Sequence, residues 1–215
     1  MKSMKKTIAA AIAIAMIFGC AVGGTLAWLM AETNTVTNTF TTSDVDIELT
    51  ETPNSLDGDL NNNTNSYQMV PGNVIAKDPT VTVKGNSEDC WLFVEINESS
   101  NLDTYISYVV DSNWTHLSGN VYYREVAKNS ADQSFDVIGY MNGTTFVVDN
   151  VLVNTSVTKA QMEAVDGKNA DGTVNSTEVK PTLTFTAYAV QKANIGTVTD
   201  AWGYVETEFK TPAQP

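Results

Sequence analysis

Imidazole and thiol are nearly absent from this chain, which holds one histidine and two cysteines in 215 residues. A hydrolytic zinc centre needs several such ligands converging on one ion, so His116, Cys20 and Cys90 exclude a His/Cys zinc site within one chain. His116 follows Trp114 on an expected loop and reads as a surface histidine. No Gly-x-Ser-x-Gly elbow is present, nor a glycine loop opening a helix, which removes the serine-hydrolase and phosphate-cradling patterns. Cys90 stands beside Trp91-Leu92-Phe93-Val94, where a thiol is expected as a small buried hydrophobe rather than a nucleophile. No catalytic residue and no cofactor site is expected.

Positive charge is also scarce: 12 Lys+Arg stand against 25 Asp+Glu, a net charge of -13. Such a surface excludes nucleic acid as a partner and disfavours anionic lipid or wall polymers by charge alone. Its plainest role is to keep the protein soluble.

Long hydrophobic runs are missing except at the start. Lys2, Lys5 and Lys6 precede an apolar run from Ile8 to Cys20, followed by Gly23-Gly24-Thr25-Leu26-Ala27 and Trp28. The run is about a dozen residues, short of the roughly 20 that span a bilayer, so residues 1–27 are expected to be a cleaved export signal. The chain would then meet the membrane only before processing. Cleavage after Ala27, leaving Trp28 first, is preferred over cleavage after Ala31; acylation of Cys20 and a retained anchor are further alternatives. Processing removes three lysines and no acidic residue, and leaves Cys90 as the sole thiol, so no intramolecular disulfide can form.

What is present is period-two patterning. Val45, Ile47 and Leu49 alternate with Asp44, Asp46, Glu48 and Thr50, predicting a half-buried strand. Thr80–Lys84, Trp91–Ile96, Tyr105–Val110, Val121–Val126, Thr144–Val148 and Thr182–Gln191 are predicted strands, rich in Val, Thr, Tyr and Phe. Turn signals separate them at Asp57-Gly58, Pro71-Gly72, Gly85-Asn86, Ser118-Gly119-Asn120, Asn142-Gly143 and Asp171-Gly172. One short helix is expected over Thr158–Val165, with Thr158 as N-cap. Leu60–Ser66 is a polar loop. The spacing predicts an all-β antiparallel β-sandwich with loop insertions, over residues 43–215.

Two weaker patterns bear on binding. Asn169, Asp171, Gly172 and Glu178 fit part of a calcium loop, but the first ligand position would be Gly167, which has no side-chain oxygen. Trp114, Tyr122, Tyr123, Trp202 and Tyr204 are candidates for a sugar-stacking surface, although alternation puts Tyr122 and Tyr123 on opposite faces.

Four segments in order carry a family resemblance. Gly23-Gly24-Thr25-Leu26-Ala27-Trp28 resembles the processing site that a SipW-type signal peptidase recognises in the TasA/camelysin family of exported bacterial matrix proteins. Asn38-Thr39-Phe40-Thr41-Thr42-Ser43-Asp44-Val45-Asp46-Ile47 resembles its first core strand. Pro71-Gly72 with Lys77-Asp78-Pro79-Thr80-Val81-Thr82-Val83 is similar to its Pro-Gly turn and next strand, and Phe185-Thr186-Ala187-Tyr188-Ala189-Val190-Gln191 to its closing strand. The resemblance implies a jelly-roll sandwich, secreted to the cell surface or extracellular matrix, whose subunits form biofilm fibres as a homopolymer, with other matrix or anchoring proteins as possible company.

The resemblance also implies assembly by donor-strand addition, residues 28–42 of one subunit inserting into its neighbour. Trp28, Met30, Val36 and Phe40 share one parity and suit a groove, while the intervening Thr suit water. Some camelysin relatives are described as metallo-endopeptidases; this chain has no recognisable ligand set for that activity, and any bound metal would be calcium or magnesium. A monomeric surface adhesin is the remaining alternative.

Overall fold

The structure, a computed structural model, describes residues 44–54, 65–169, 172–174 and 179–210. The export signal with its Ala27–Trp28 junction, and the 28–42 segment with Trp28, Met30, Val36 and Phe40, lie outside the described residues. So do Asp57-Gly58 and the calcium candidates Asp171 and Glu178.

In chain order the strands are β1 (Ile47–Thr50), β2 (Val74–Ala76), β3 (Thr80–Val83), β4 (Cys90–Glu98), β5 (Ile106–Ser107), β6 (Val109–Val110) and β7 (Thr115–Ser118). They continue as β8 (Val121–Val126), β9 (Gln133–Asp136), β10 (Ile138–Asn142), β11 (Thr145–Val148), β12 (Asn150–Val153) and β13 (Leu183–Gln191). The helices are α1 (Leu102–Tyr105), α2 (Lys159–Val165) and α3 (Val198–Val205), the last running into a π-helical turn at Glu206–Lys210. All strand pairs are antiparallel, and they make four sheets ordered β13-β4-β8-β7, β1-β3-β9, β2-β12-β5 and β11-β10-β6. The all-β antiparallel architecture expected from the sequence is the one observed.

β4 is the centre of the molecule, and its composition explains why. Cys90, Leu92, Val94 and Ile96 point to one side, into a core shared with Val81, Val137, Ile138 and Val153. Trp91 and Phe93 point to the other, where they meet Ala201, Trp202 and Val205 of α3. A strand apolar at both parities needs cover on both faces, as in the middle of a layered fold. Each fully buried side chain of this size stabilises by roughly 1.5–3 kcal/mol, and because both faces are apolar it is the fit of the large Trp91 and Phe93 against α3 that opposes a slip exchanging them.

Helix α3 was not expected. Its signal is nonetheless plain: Thr197 caps the helix by accepting from the Asp200 N–H at 3.1 Å, and Val198, Ala201, Trp202 and Val205 recur at helical spacing on one face. Helix α2 starts where Thr158 predicts, with a capping box in which Thr158 Oγ1 accepts from Gln161 N and Gln161 Oε1 accepts from Thr158 N. The predicted strand over Tyr105–Val110 is instead the end of α1 followed by β5 and β6, which leave to join different sheets.

The turns behave as composition demands. Gly72, Asn86, Gly119, Gly143 and Gly172 all have positive φ, so the residues that tolerate the left-handed region sit where the chain reverses. Gly139 is constrained differently: a Cβ there would lie 2.4 Å from the Val147 carbonyl oxygen and 2.6 Å from the Phe146 ring, which lies across the glycine.

Candidate functional site

The core is sealed unevenly. The inward side chains of β4 are 0–3% exposed, whereas Val45, Ile47 and Leu49 on one side, and Leu183, Phe185, Ala187 and Ala189 on the other, are only half-buried against the same core. β1 and β13 pack against each other and each ends its sheet, so each has one edge without a strand partner among the described residues. Between them opens a groove of about 880 Å³.

Its walls come from elements distant in sequence. Leu49, Thr50 and Glu51 continue β1; Thr182 to Phe185 begin β13; Met162 and Val165 come from α2; Ile75, Ile106 and Val151 form part of the lining. The segment around Tyr67 is tied to the end of β1 by side chains: Asn54 N donates to Asn65 Oδ1 at 2.8 Å, and Asn54 Nδ2 donates to the Ser66 carbonyl.

A largely buried ion pair sits in this groove. Lys77 Nζ donates to Glu51 Oε1 at 3.0 Å and Oε2 at 2.9 Å, with the two side chains only 11% and 14% exposed. The Tyr67 hydroxyl also donates to Glu51. Lys77 Nζ lies 5.4 Å from the Tyr67 ring centre and 5.3 Å from that of Phe185, giving the ammonium two aromatic faces. Burial, then the bond to Glu51, raises the Tyr67 hydroxyl pKa well above its usual value, so the phenol stays a donor.

The entry to β1 lies at the opposite end of that strand. Lys84 N donates to the Asp46 carbonyl at 2.9 Å, Glu88 N to the Asp44 carbonyl at 3.2 Å, and Asp46 N to the hydroxyl of buried Ser87 at 3.1 Å. Asp44 and Glu51 are thus separated by about 23 Å of extended chain at ~3.3 Å per residue.

The other predicted sites are dispersed. Asn169 is exposed and its side-chain amide donates to Thr173 Oγ1 at 3.0 Å. Cys90 is wholly buried, and burial pushes its thiol up to about 11. His116 lies on strand β7 rather than on a loop; it is exposed, with Nε2 3.0 Å from the Gly119 carbonyl. The strand assignment follows from pairing with Tyr122, opposite His116 in β8, an interaction invisible to local composition.

The aromatic candidates form no common surface. Trp114 and Trp202 are buried at 5% and 6% exposure, while Tyr204 is 57% exposed. Tyr122 and Tyr123 do point to opposite faces, but both are half-buried, because α3 covers the second face.

The Asp78, Asp111 and Asp136 charges, after burial, help hold the Asp149 carboxyl above its usual range. Among the described residues no group of three or more His, Cys, Asp or Glu side chains is placed to hold a metal. No described helix is long and apolar enough to cross a membrane. No protein-family model, no curated protein and no solved structure matches the chain.

Proposed function

We propose that this protein is an exported, non-enzymatic structural subunit of the extracellular matrix that polymerises by donor-strand addition. A signal peptidase of the SipW type frees residues 28–42 by cutting after Ala27, and this segment adds as a strand to the groove of another copy. The observation that carries the reading is the groove between β1 and β13, each with an edge that lacks a strand partner among the described residues and with apolar side chains left half-buried. An added strand would pair the free groups of one of these edges and cover the half-buried side chains beside it.

Strand polarity supports a filament over a closed pair. The chain enters β1 at the Asp44 end, clamped to the β3–β4 turn, and the groove opens at the Glu51 end. A segment leaving one end and a receptor at the other would make a heterologous contact, which repeats as a filament when its rotation does not close. Before processing, the membrane tether would withhold the segment, so cleavage would act as the licence for assembly. Localisation is the cell surface or matrix, and the principal partner is a second copy of the chain.

The test is to delete residues 28–40 from the processed protein. The expected product is a folded particle, with the same far-ultraviolet circular dichroism, that forms no filaments by electron microscopy. Filaments of normal length from the deletion would overturn the donor assignment.

A further inference from the structure

We infer that Lys77 sets the register of assembly by pairing with Glu32 of the incoming strand from a second copy, an inference that rests on the donor-strand reading above. Residues 28–42 contain one ionisable side chain, Glu32. It has the same parity as Trp28, Met30, Val36 and Phe40, so a strand that turns those apolar groups into a groove turns Glu32 inward with them. A carboxylate taken out of water between the groove's walls is costly unless a cation meets it there.

The groove holds such a cation. Two lysines line it, and Lys180 is exposed. The Lys77 side chain is only 11% exposed. An ammonium has three N–H donors, and the bonds to Glu51 Oε1 and Oε2 occupy two of them. Glu51 also accepts from Tyr67 and therefore does not depend on Lys77 alone. Lys77 can accept a second carboxylate as partner without abandoning the first.

This pairing discriminates between registers that the apolar residues leave nearly equivalent. A one-residue slip is already excluded, because it turns Trp28, Met30, Val36 and Phe40 to solvent. A two-residue slip preserves parity but sets Met30 or Asn34 against the ammonium. Of the alignments that keep parity, one brings Glu32 to the largely buried ammonium of Lys77, which is how a strand rich in repeated Thr and Asn can seat uniquely.

The experiment uses filaments of the processed wild-type protein, treated with a zero-length carbodiimide that joins carboxylates to amines. Peptide mass spectrometry is expected to find Glu32 linked to Lys77 of a neighbouring copy, with the Glu51–Lys77 link of the free subunit as internal control. In parallel, E32Q should raise the critical concentration for assembly about tenfold or more, the effect of losing a charged hydrogen bond. A link from Glu32 to Lys180, the absence of any Glu32–Lys77 link, or an unchanged critical concentration for E32Q overturns the inference. Filaments from the 28–40 deletion, or none from the processed wild-type protein, count instead against the donor-strand reading itself.

Discussion

The two apolar sides of the β13-β4-β8-β7 sheet are closed in different ways. On the side of Trp91 and Phe93 the chain supplies its own lid: α3 places Trp202 5.2 Å from the Phe93 ring and 5.8 Å from that of Tyr188, and Lys210 Nζ sits 4.5 Å from the Trp202 ring. On the side of Leu92 and Val94 the core is deep, but its margin along β1 and β13 stays half-covered. The chain caps one face with eight helical residues and, among the described residues, leaves the other margin half-covered, which is where the proposed donor strand would sit. Under the proposed assembly the contrast separates two roles, the lid serving stability and the groove polymerisation.

The sharpest way to break that separation is Trp202→Ala. Removing a buried Trp should cost about 3–5 kcal/mol and lower the thermal midpoint strongly, as scanning calorimetry would register. Leu183→Ala, at the half-covered margin, should cost only about 1 kcal/mol in the same measurement while weakening filament formation out of proportion. If Leu183→Ala proved as destabilising as Trp202→Ala, the margin would be an ordinary core.

Thr158→Ala sharpens the comparison at the helix that walls the groove. Losing the capping box should cost about 1 kcal/mol, and amide hydrogen exchange over Lys159–Val165 should quicken while α3 remains protected.

The smallest expected effect concerns the sealed interior. The Cys90 thiol is raised from 9.0 to about 11 by burial and then by the Asp89 charge. The folded state therefore holds this proton more tightly than the unfolded state. Its contribution to stability is complete below pH ~9 and is lost as pH rises through about 11. Thiol reagents at neutral pH should label the protein only on unfolding, and Cys90→Ala should flatten the alkaline fall in stability measured by urea titration.

Sequence patterning reached the strands whose own residues carry the signal. β8 runs over the predicted Val121–Val126, and β3, β11 and β13 each fall inside a predicted segment, because Val, Thr and Phe alternate there against one buried face. It did not reach β9, where Gln133-Ser134-Phe135-Asp136 offers a single apolar residue. That strand exists because its backbone pairs with β3, Phe135 standing opposite Val81. β2 and β12 are likewise short and defined by each other. The groove was illegible for a related reason: Leu49, Lys77, Met162 and Phe185 are remote in sequence, and only the packed fold assembles them around one space. Helix α3 was legible in principle, through Thr197, Asp200 and the spacing of Val198, Ala201, Trp202 and Val205.

The clamp at the entry to β1 has a mechanical consequence. If filaments form as proposed, tension on the leading segment enters at Asp44 and Asp46 and travels lengthwise along β1, whose four ladder positions with β3 run from Ile47↔Val83 to Thr50↔Thr80. Those bonds stand perpendicular to the load. They are sheared together instead of being peeled open one after another, so a fibre of such subunits should resist pulling far better than the modest length of the strand suggests.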